Sequence, residues 1–311
     1  MYEMNLINGI EEQIGNTPLL RLRRIEKLFS LKANLYAKQE SFNPGGSIKD
    51  RVAKSILDDA EKSGRLQKGG TVIEATSGNT GIGLALVAAA RGYKTVIVMP
   101  ETMSVERQKL IKGYGAEVVL TEGAKGMKGS VEKAEELLAK TPNAIIAGQF
   151  ENAANPKAHY ETTAPEICRQ LSGSVDIFVA GVGTGGTLTG VGKYLKERNK
   201  NVKIVAVEPA SSPLLSQGKA GAHKIQGIGA NFLPKTLDTK VYDEVIAVTD
   251  EQAIEYARLA CKREGAFVGI SSGAALFAAI ELAKRDENAG KNIVTVFPDS
   301  GDRYLSTELF E

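Results

Sequence analysis

Apolar positions in this chain fall in short blocks, and the stretches between them have helical spacing. Strand-like runs appear at 72–75, 95–99, 117–120 and 144–147, with helical patterns over 79–91, 105–114 and 129–140. The second half repeats the scheme, with strands expected at 176–180, 203–207, 244–248 and 292–297 and helices at 156–171, 187–198, 250–263 and 271–284. Earlier, a turn at 14–18 leads into a short strand, 34–39 reads as another strand, and a helix runs from Lys49 to about Ser63. Strand, helix and strand alternating at this spacing predict parallel sheets covered on both faces. The expected boundary between two α/β units is the loop 149–156, where Asn and Pro cluster. The C-terminal ends of such strands are the default place for a ligand.

Composition narrows this picture. A length of 311 residues suits two domains, and 42% hydrophobic residues suffice for a core in each. A net charge of +2 without a long basic run argues against a nucleic-acid or membrane surface. Cys168 and Cys261 stand far apart and the only histidines are His159 and His223, so neither a disulfide framework nor a metal site is expected. The N-terminus lacks the basic start and apolar core of a signal peptide. The longest apolar run, 82–90, is too short to span a bilayer. The expectation is a soluble, cytoplasmic protein.

Several stretches carry candidate chemistry. In Ser41-Phe42-Asn43-Pro44-Gly45-Gly46-Ser47-Ile48-Lys49-Asp50-Arg51, Asn-Pro-Gly-Gly is a turn between strand and helix. Ser47 with Asp50 resembles a capping box with Asp in place of Glu. Lys49 then lies in the first helical turn, where the helix dipole disfavours its charge, which suits an amine that must be neutral to react. Taken by itself, a solvated lysine beside Asp50 is the commoner reading.

Thr76-Ser77-Gly78-Asn79-Thr80-Gly81 follows a strand and opens a helix, the setting of an anion site. Without a lysine it is no Walker loop and suits a carboxylate, although an ordinary helix cap explains it too. Gly181-Val182-Gly183-Thr184-Gly185-Gly186-Thr187 also joins strand to helix. Its glycine spacing, with Glu208 ending the next strand, satisfies a dinucleotide fingerprint, so an NAD-dependent dehydrogenase must be weighed. Against that, such a fingerprint usually opens its domain and this one begins deep in the chain. From the residues alone Ser271-Ser272-Gly273-Ala274 reads as helix capping with close packing. His223 has no assigned role, and 299–304 is either a cleft lining or a charged turn. Two anion-binding helix starts and a reactive lysine are the inventory for pyridoxal phosphate and an amino acid.

At these residues the chain resembles the cysteine synthases (O-acetylserine sulfhydrylases) of the fold-type II pyridoxal-phosphate family. The likeness runs end to end through Asn16-Thr17-Pro18-Leu19, the 43–51 and 76–81 stretches, Pro100-Glu101-Thr102-Met103-Ser104, Gln149-Phe150-Glu151-Asn152 and His159-Tyr160-Glu161-Thr162-Thr163. It continues through 183–187, the loop His223-Lys224-Ile225-Gln226-Gly227-Ile228-Gly229, 269–274 and Tyr304-Leu305-Ser306-Thr307. The resemblance implies a tryptophan synthase β-like fold. A smaller, mobile domain, 42–154, would carry Lys49 and the substrate-carboxylate loop. A larger one, 1–41 plus 155–311, would carry the cofactor-phosphate loop.

It also implies roles. Lys49 would hold pyridoxal 5'-phosphate as a Schiff base and act as the catalytic base at Cα. Asn79 would bond the ring hydroxyl, and Gly183, Thr184, Gly185, Gly186 and Thr187 would cradle the phosphate. Ser271 would face the pyridine nitrogen, a role that displaces its capping reading. Thr76, Ser77, Gly78, Thr80 and Gln149 would bind the substrate carboxylate. The implied reaction is ping-pong: O-acetyl-L-serine loses acetate to leave an aminoacrylate, which sulfide converts to L-cysteine while the small domain closes. A homodimer is implied, as is docking of the C-terminal tail of serine acetyltransferase. Ala164 and Cys168 stand where the family commonly has Gly and Trp, which bears on packing. The near rival is a short cystathionine β-synthase-like enzyme joining serine or O-acetylserine to homocysteine. Thiosulfate and O-phosphoserine remain alternative substrates, and the dehydrogenase leaves Lys49 and 76–81 unexplained.

Overall fold

Most of the apolar runs become strands buried by the helices around them, while those at 117–121 and 244–248 remain partly exposed over most of their length. In the computed structural model, which describes residues 6–76, 78–102 and 105–311, the first half contains β1 (Leu19–Arg21), β2 (Asn34–Gln39), β3 (Thr71–Ala75), β4 (Lys94–Pro100), β5 (Glu117–Thr121) and β6 (Ala144–Ile146). The second half contains β7 (Ile177–Gly181), β8 (Lys203–Pro209), β9 (Glu244–Val248) and β10 (Asn292–Phe297). The helices are α1 (Arg23–Leu28), α2 (Lys49–Lys62), α3 (Asn79–Arg91), α4 (Val105–Gly113), α5 (Gly126–Lys140), α6 (Ala154–Ala158) and α7 (Ala164–Gln170). They continue with α8 (Gly186–Arg198), α9 (Leu214–Gln217), α10 (Asp250–Glu264) and α11 (Ile270–Ala283).

The chain forms two compact units. One comprises the described residues through Asn16 with Asn43–Ala154, the other Thr17–Phe42 with Asn155–Glu311. Residues 6–16 thus group with the Lys49 unit, whereas the sequence reading assigns 1–41 to the larger domain and Phe42 to the smaller. Polar contacts explain the grouping. The Gly15 N–H donates to Asn43 Oδ1 at 2.8 Å. Arg91 of α3 pairs with Glu11 at 2.7 Å and with Asp58 and Glu61 of α2 at 2.6 and 3.1 Å.

In the first unit a four-stranded sheet runs β5-β4-β3-β6, with every neighbouring pair parallel. Val72 packs with Val52, Ile56 and Leu57 of α2 and Leu84 and Val87 of α3, while Ile73 and Val98 pack with Ala134 of α5. The second unit has a six-stranded sheet, β1-β2-β10-β7-β8-β9, parallel except at β1–β2. Its core joins Val179, Val205, Ile293 and Phe297 to Leu276 and Ile280 of α11. Nearly the whole of α11 is buried, as a helix without a polar stripe must be. A Cβ on Gly273 would overlap Ala253 and Ala257, so α10 and α11 touch at backbone distance there. That is the close packing the sequence predicts for Gly273.

Two local expectations change, and two short helices are unanticipated. The capping box does not form: the Lys49 N–H donates to Ser47 Oγ at 3.2 Å, and Asp50 Oδ2 accepts from the Gly45 N–H at 2.6 Å. Asp50 is thereby taken up by the preceding turn. The continuous helix expected over 156–171 is α6 and α7 separated by a π-helical turn, His159–Thr163. Short helices α1 and α9 carry too few turns to show a helical period. Among the described residues no helix is long and apolar enough to cross a membrane.

Candidate active site

In the first unit, β3 runs into Thr76 and α3 begins at Asn79, with Gly78 at the N-cap and no side chain closing the helix end. Ser77 lies outside the described residues. Thr76, Thr80 and Gln149 are 5%, 2% and 5% exposed, and they touch one another. The Thr80 hydroxyl donates to Gln149 Oε1 at 2.6 Å, and Gln149 Nε2 donates to Thr76 Oγ1 at 3.3 Å. The Gly78 N–H is 3.4 Å from Thr76 Oγ1. The structure therefore joins Thr76, Gly78, Thr80 and Gln149, four of the expected carboxylate-binding residues. Lys49 is the first residue of α2 and is partly exposed. A Cβ on Gly83 of α3 would lie 2.9 Å from the Lys49 carbonyl oxygen. The missing side chain there lets the helix bearing Asn79 and Thr80 rest on the backbone of Lys49.

In the second unit, β7 ends at Gly181 and α8 begins at Gly186. Gly185 caps the helix at φ +80°, a left-handed conformation that glycine adopts without strain, and the N–H of Gly186, the first helical residue, donates to Thr184 Oγ1 at 3.3 Å. A Cβ on Gly186 would overlap the side-chain amide of Asn155. Asn155 Nδ2 in turn donates to Thr184 Oγ1 at 3.0 Å, and the Thr236 hydroxyl donates to the Thr184 carbonyl at 2.6 Å. Thr187 Oγ1 is 3.3 Å from Nε2 of His159, whose Nδ1 is 3.0 Å from Thr163 Oγ1 in the π-helical turn. This is a narrow, backbone-lined loop at the start of a full-length helix, its threonines pinned from behind. Such a cradle fits a phosphate.

Ser271 is the second residue of α11 and 4% exposed. The helix is capped by Gly269 without a side-chain bond, so the capping role read from the residues alone is not the one Ser271 plays. Gly227 stands beside it: a Cβ there would be 3.5 Å from Ser271 Oγ, while one on Gly183 would overlap the Gly227 carbonyl. Gly183, Gly227 and Ser271 thus lie side by side in the second unit.

Glu208 is not available to a ribose. Its carboxylate accepts from the Leu215 and Ser216 N–H groups at 2.6 and 3.2 Å and from the Ser216 hydroxyl at 2.5 Å. It secures α9, and the dinucleotide reading loses its acid. His223 closes its own loop, with Nε2 2.9 Å from the Gly229 carbonyl oxygen. Asp299 accepts from the buried Tyr304 hydroxyl at 2.8 Å, which makes the 299–304 turn a packed one. Sequence reasoning missed Asn155, His159 and Thr236, which hold the cradle, and Glu74, which contacts Gln149. Asn155 lies in the Asn/Pro loop read only as a boundary, His159 lies in a stretch read only for the family likeness, Glu74 is the one charge in its strand, and Thr236 has no local signal.

A lysine at a helix start, together with two glycine-containing strand-to-helix turns, fits an enzyme that handles amino acids through a phosphorylated aldehyde. Comparison with known families agrees. The family model described as pyridoxal-phosphate dependent enzyme matches residues 10–299, and the chain belongs to that family. It is 52% identical over 305 residues to a cysteine synthase of Staphylococcus aureus strain N315, a match covering 98% of this chain and 97% of the relative. Its structure is similar to that of a cysteine synthase from Entamoeba histolytica, with a TM-score of 0.95 and 43% identity over 100% of this chain and 92% of the other. An O-ureido-L-serine synthase matches with a TM-score of 0.94 and 46% identity over 98% and 96% of the two chains.

Proposed function

We propose that this chain makes L-cysteine from O-acetyl-L-serine and sulfide by a pyridoxal-phosphate-dependent β-replacement. The joined Thr76, Thr80 and Gln149 cluster in the unit bearing Lys49 carries the amino-acid half of this reading. Acetate as leaving group and sulfide as nucleophile follow from the full-length similarity to cysteine synthases. The O-ureido-L-serine synthase among its relatives makes the nucleophile the variable to test.

In this reading Thr76, Ser77, Gly78, Thr80 and Gln149 grip the substrate α-carboxylate and fix the Cα–H bond for attack. Lys49 Nζ anchors the cofactor and then takes the Cα proton. At the start of α2 the helix dipole favours the neutral amine this step needs. The Cβ–O bond breaks as acetate leaves, a Cβ–S bond forms with sulfide, and the proton returns to Cα from Lys49. Asn79 would bond the cofactor's ring hydroxyl, 183–187 would hold its phosphate and Ser271 would face its pyridine nitrogen. When bound, pyridoxal phosphate supplies the sink for the electrons released at Cα. The reading extends to a homodimer that docks the C-terminal tail of serine acetyltransferase, checked by sedimentation of the protein alone and with that peptide.

The experiment is a visible absorption spectrum of the purified protein, recorded before and after O-acetyl-L-serine and again after sulfide. The cofactor's band is expected to change with the first addition and return with the second, with free cysteine produced. Lys49→Ala is expected to abolish turnover. A response to serine and homocysteine instead would move the assignment to cystathionine formation.

A further inference from the structure

The loop 183–187 contains a peptide whose orientation its own residues leave open. Gly185 lies at φ +80°, and a glycine passes between peptide orientations that a side chain would forbid. Across the trans bond from Thr184 to Gly185 the Thr184 carbonyl and the Gly185 N–H point opposite ways, so a flip would exchange their directions. The Thr184 carbonyl stands four residues before Leu188 and in helical geometry would accept its N–H, lengthening α8 by one bond. Among the described residues it does not, and the first bond of α8 runs from the Thr189 N–H to the Gly185 carbonyl at 2.9 Å. The Thr184 carbonyl accepts instead from the Thr236 hydroxyl at 2.6 Å. The segment that supplies this hydroxyl is fitted to the loop at successive positions. Thr236 and Leu237 are both buried. A Cβ on Gly185 would lie 2.5 Å from the Leu237 Cβ, and the Asp238 N–H donates to Thr189 Oγ1 at 2.9 Å. The Leu237 N–H closes the segment into a turn on the Pro234 carbonyl at 3.1 Å. The Thr184 carbonyl is thus held against packed chain, and the Gly185 N–H points away from it. Among the described residues no backbone carbonyl accepts from that N–H.

We infer that Thr236 is a positioning residue for the phosphate cradle, its hydroxyl fixing the 184–185 peptide so that the Gly185 N–H is presented to the cofactor's phosphate. The inference rests on the reading of 183–187 as that cradle. An N–H already turned to its acceptor needs no rearrangement when the phosphate arrives. A flipped peptide would offer the Thr184 carbonyl oxygen in its place, and two acceptors facing each other repel. Thr236 selects the first arrangement through the backbone.

The test strips the full chain of cofactor and titrates it with pyridoxal 5'-phosphate and with pyridoxal, the same aldehyde without a phosphate, following the visible band of each. Thr236→Val removes the hydroxyl at nearly equal volume, and Thr236→Ser keeps it. Thr236→Val is expected to weaken pyridoxal 5'-phosphate about tenfold, the effect of losing one hydrogen bond to a charged group, and to leave pyridoxal as in the parent. Thr236→Ser is expected to bind both as the parent does. In the loaded enzyme the phosphorus resonance of the cofactor is expected to move in Thr236→Val and to stay in place in Thr236→Ser. Thr236→Ala carries the same test if Thr236→Val does not fold. An equal loss for pyridoxal overturns the inference, because a general loosening of the site does not single out the phosphate. So does parent-like affinity for pyridoxal 5'-phosphate in the variants lacking the hydroxyl. Thr187→Val, which alters the cradle itself, then separates the two readings. A loss confined to pyridoxal 5'-phosphate in that variant leaves the cradle standing without Thr236, and no loss overturns both.

Discussion

Glu74, the one charge in β3, ties stability to pH. Burial pushes its carboxyl up from 4.5 to about 7, against the pull of the Gly148 and Gln149 N–H groups. Below its ordinary value both folded and unfolded chains carry the proton, and the contribution is full. As pH rises from 4.5 to about 7 the unfolded chain releases its proton first, so stability is lost through that window, by about 3 kcal/mol on linkage arithmetic. Glu74→Gln removes this slope. Urea midpoints taken at about pH 5 and about pH 8 are expected to differ less in the variant than in the parent. Ser271 is the second residue-scale test. In the proposed reading Ser271 would set a neutral hydroxyl opposite the pyridine nitrogen and leave the ring a moderate electron sink, sufficient where electrons depart at once with acetate. Ser271→Asp would draw that nitrogen into its protonated form, and cysteine formation is expected to fall about tenfold or more, of the order of one lost transition-state interaction. Unchanged turnover would count against a ring-facing Ser271.

At the scale of elements, the strands were the legible part. A parallel strand covered on both faces must be apolar throughout, so β3, β4, β8 and β10 stand out as runs in the sequence. The long helices were legible for the matching reason, a sustained period. What escaped is set by partners outside the strand and helix periods, some only a turn away and some on another element. Asp50 looks like a capping residue until the Gly45 N–H is seen to claim it. Glu208 looks like a ribose ligand until α9 is seen to use both its oxygens. The π-helical turn at His159–Thr163 places His159 against Thr187, a contact between two helices that neither sequence announces. Gly83 is a similar case, an unremarked position in the α3 pattern that touches the carbonyl of Lys49 in α2. Gly83→Ala would put a methyl carbon 2.9 Å from that oxygen, against backbone that cannot swing aside. The helices must part, at about 1–3 kcal/mol. A lower melting temperature is expected together with weaker pyridoxal-phosphate retention on dialysis, because the shifted backbone is that of Lys49. Gly113→Ala, at a position open to solvent, is the control expected to change neither.

On the scale of the whole molecule, the place of β10 in the larger sheet has a consequence for folding. β2 pairs with β10 along its length, Asn34 opposite Asn292 through Gln39 opposite Phe297. Between them the chain leaves the second unit after Phe42, builds the first and returns at Asn155. In the six-stranded sheet β10 stands between β2 and β7, so without it β1 and β2 have no sheet to join, and β7 has an open edge. The four strands of the first unit, by contrast, pair only with one another and all lie within residues 71–146. Contacts this far apart in sequence form late, because loop closure must precede any gain from pairing. Truncating the chain after Gly290, which removes β10, is therefore expected to divide its stability cleanly. In hydrogen exchange the amides of β3, β4 and β6 remain protected, while those of β7, β8 and β9 exchange like unfolded chain. Rapid exchange throughout would mean that the first unit depends on the second for its stability and that the break at Ala154 marks only a change in packing. Protection in β7–β9 would mean that the remaining strands close without β10, and that the central strand of the larger sheet is dispensable.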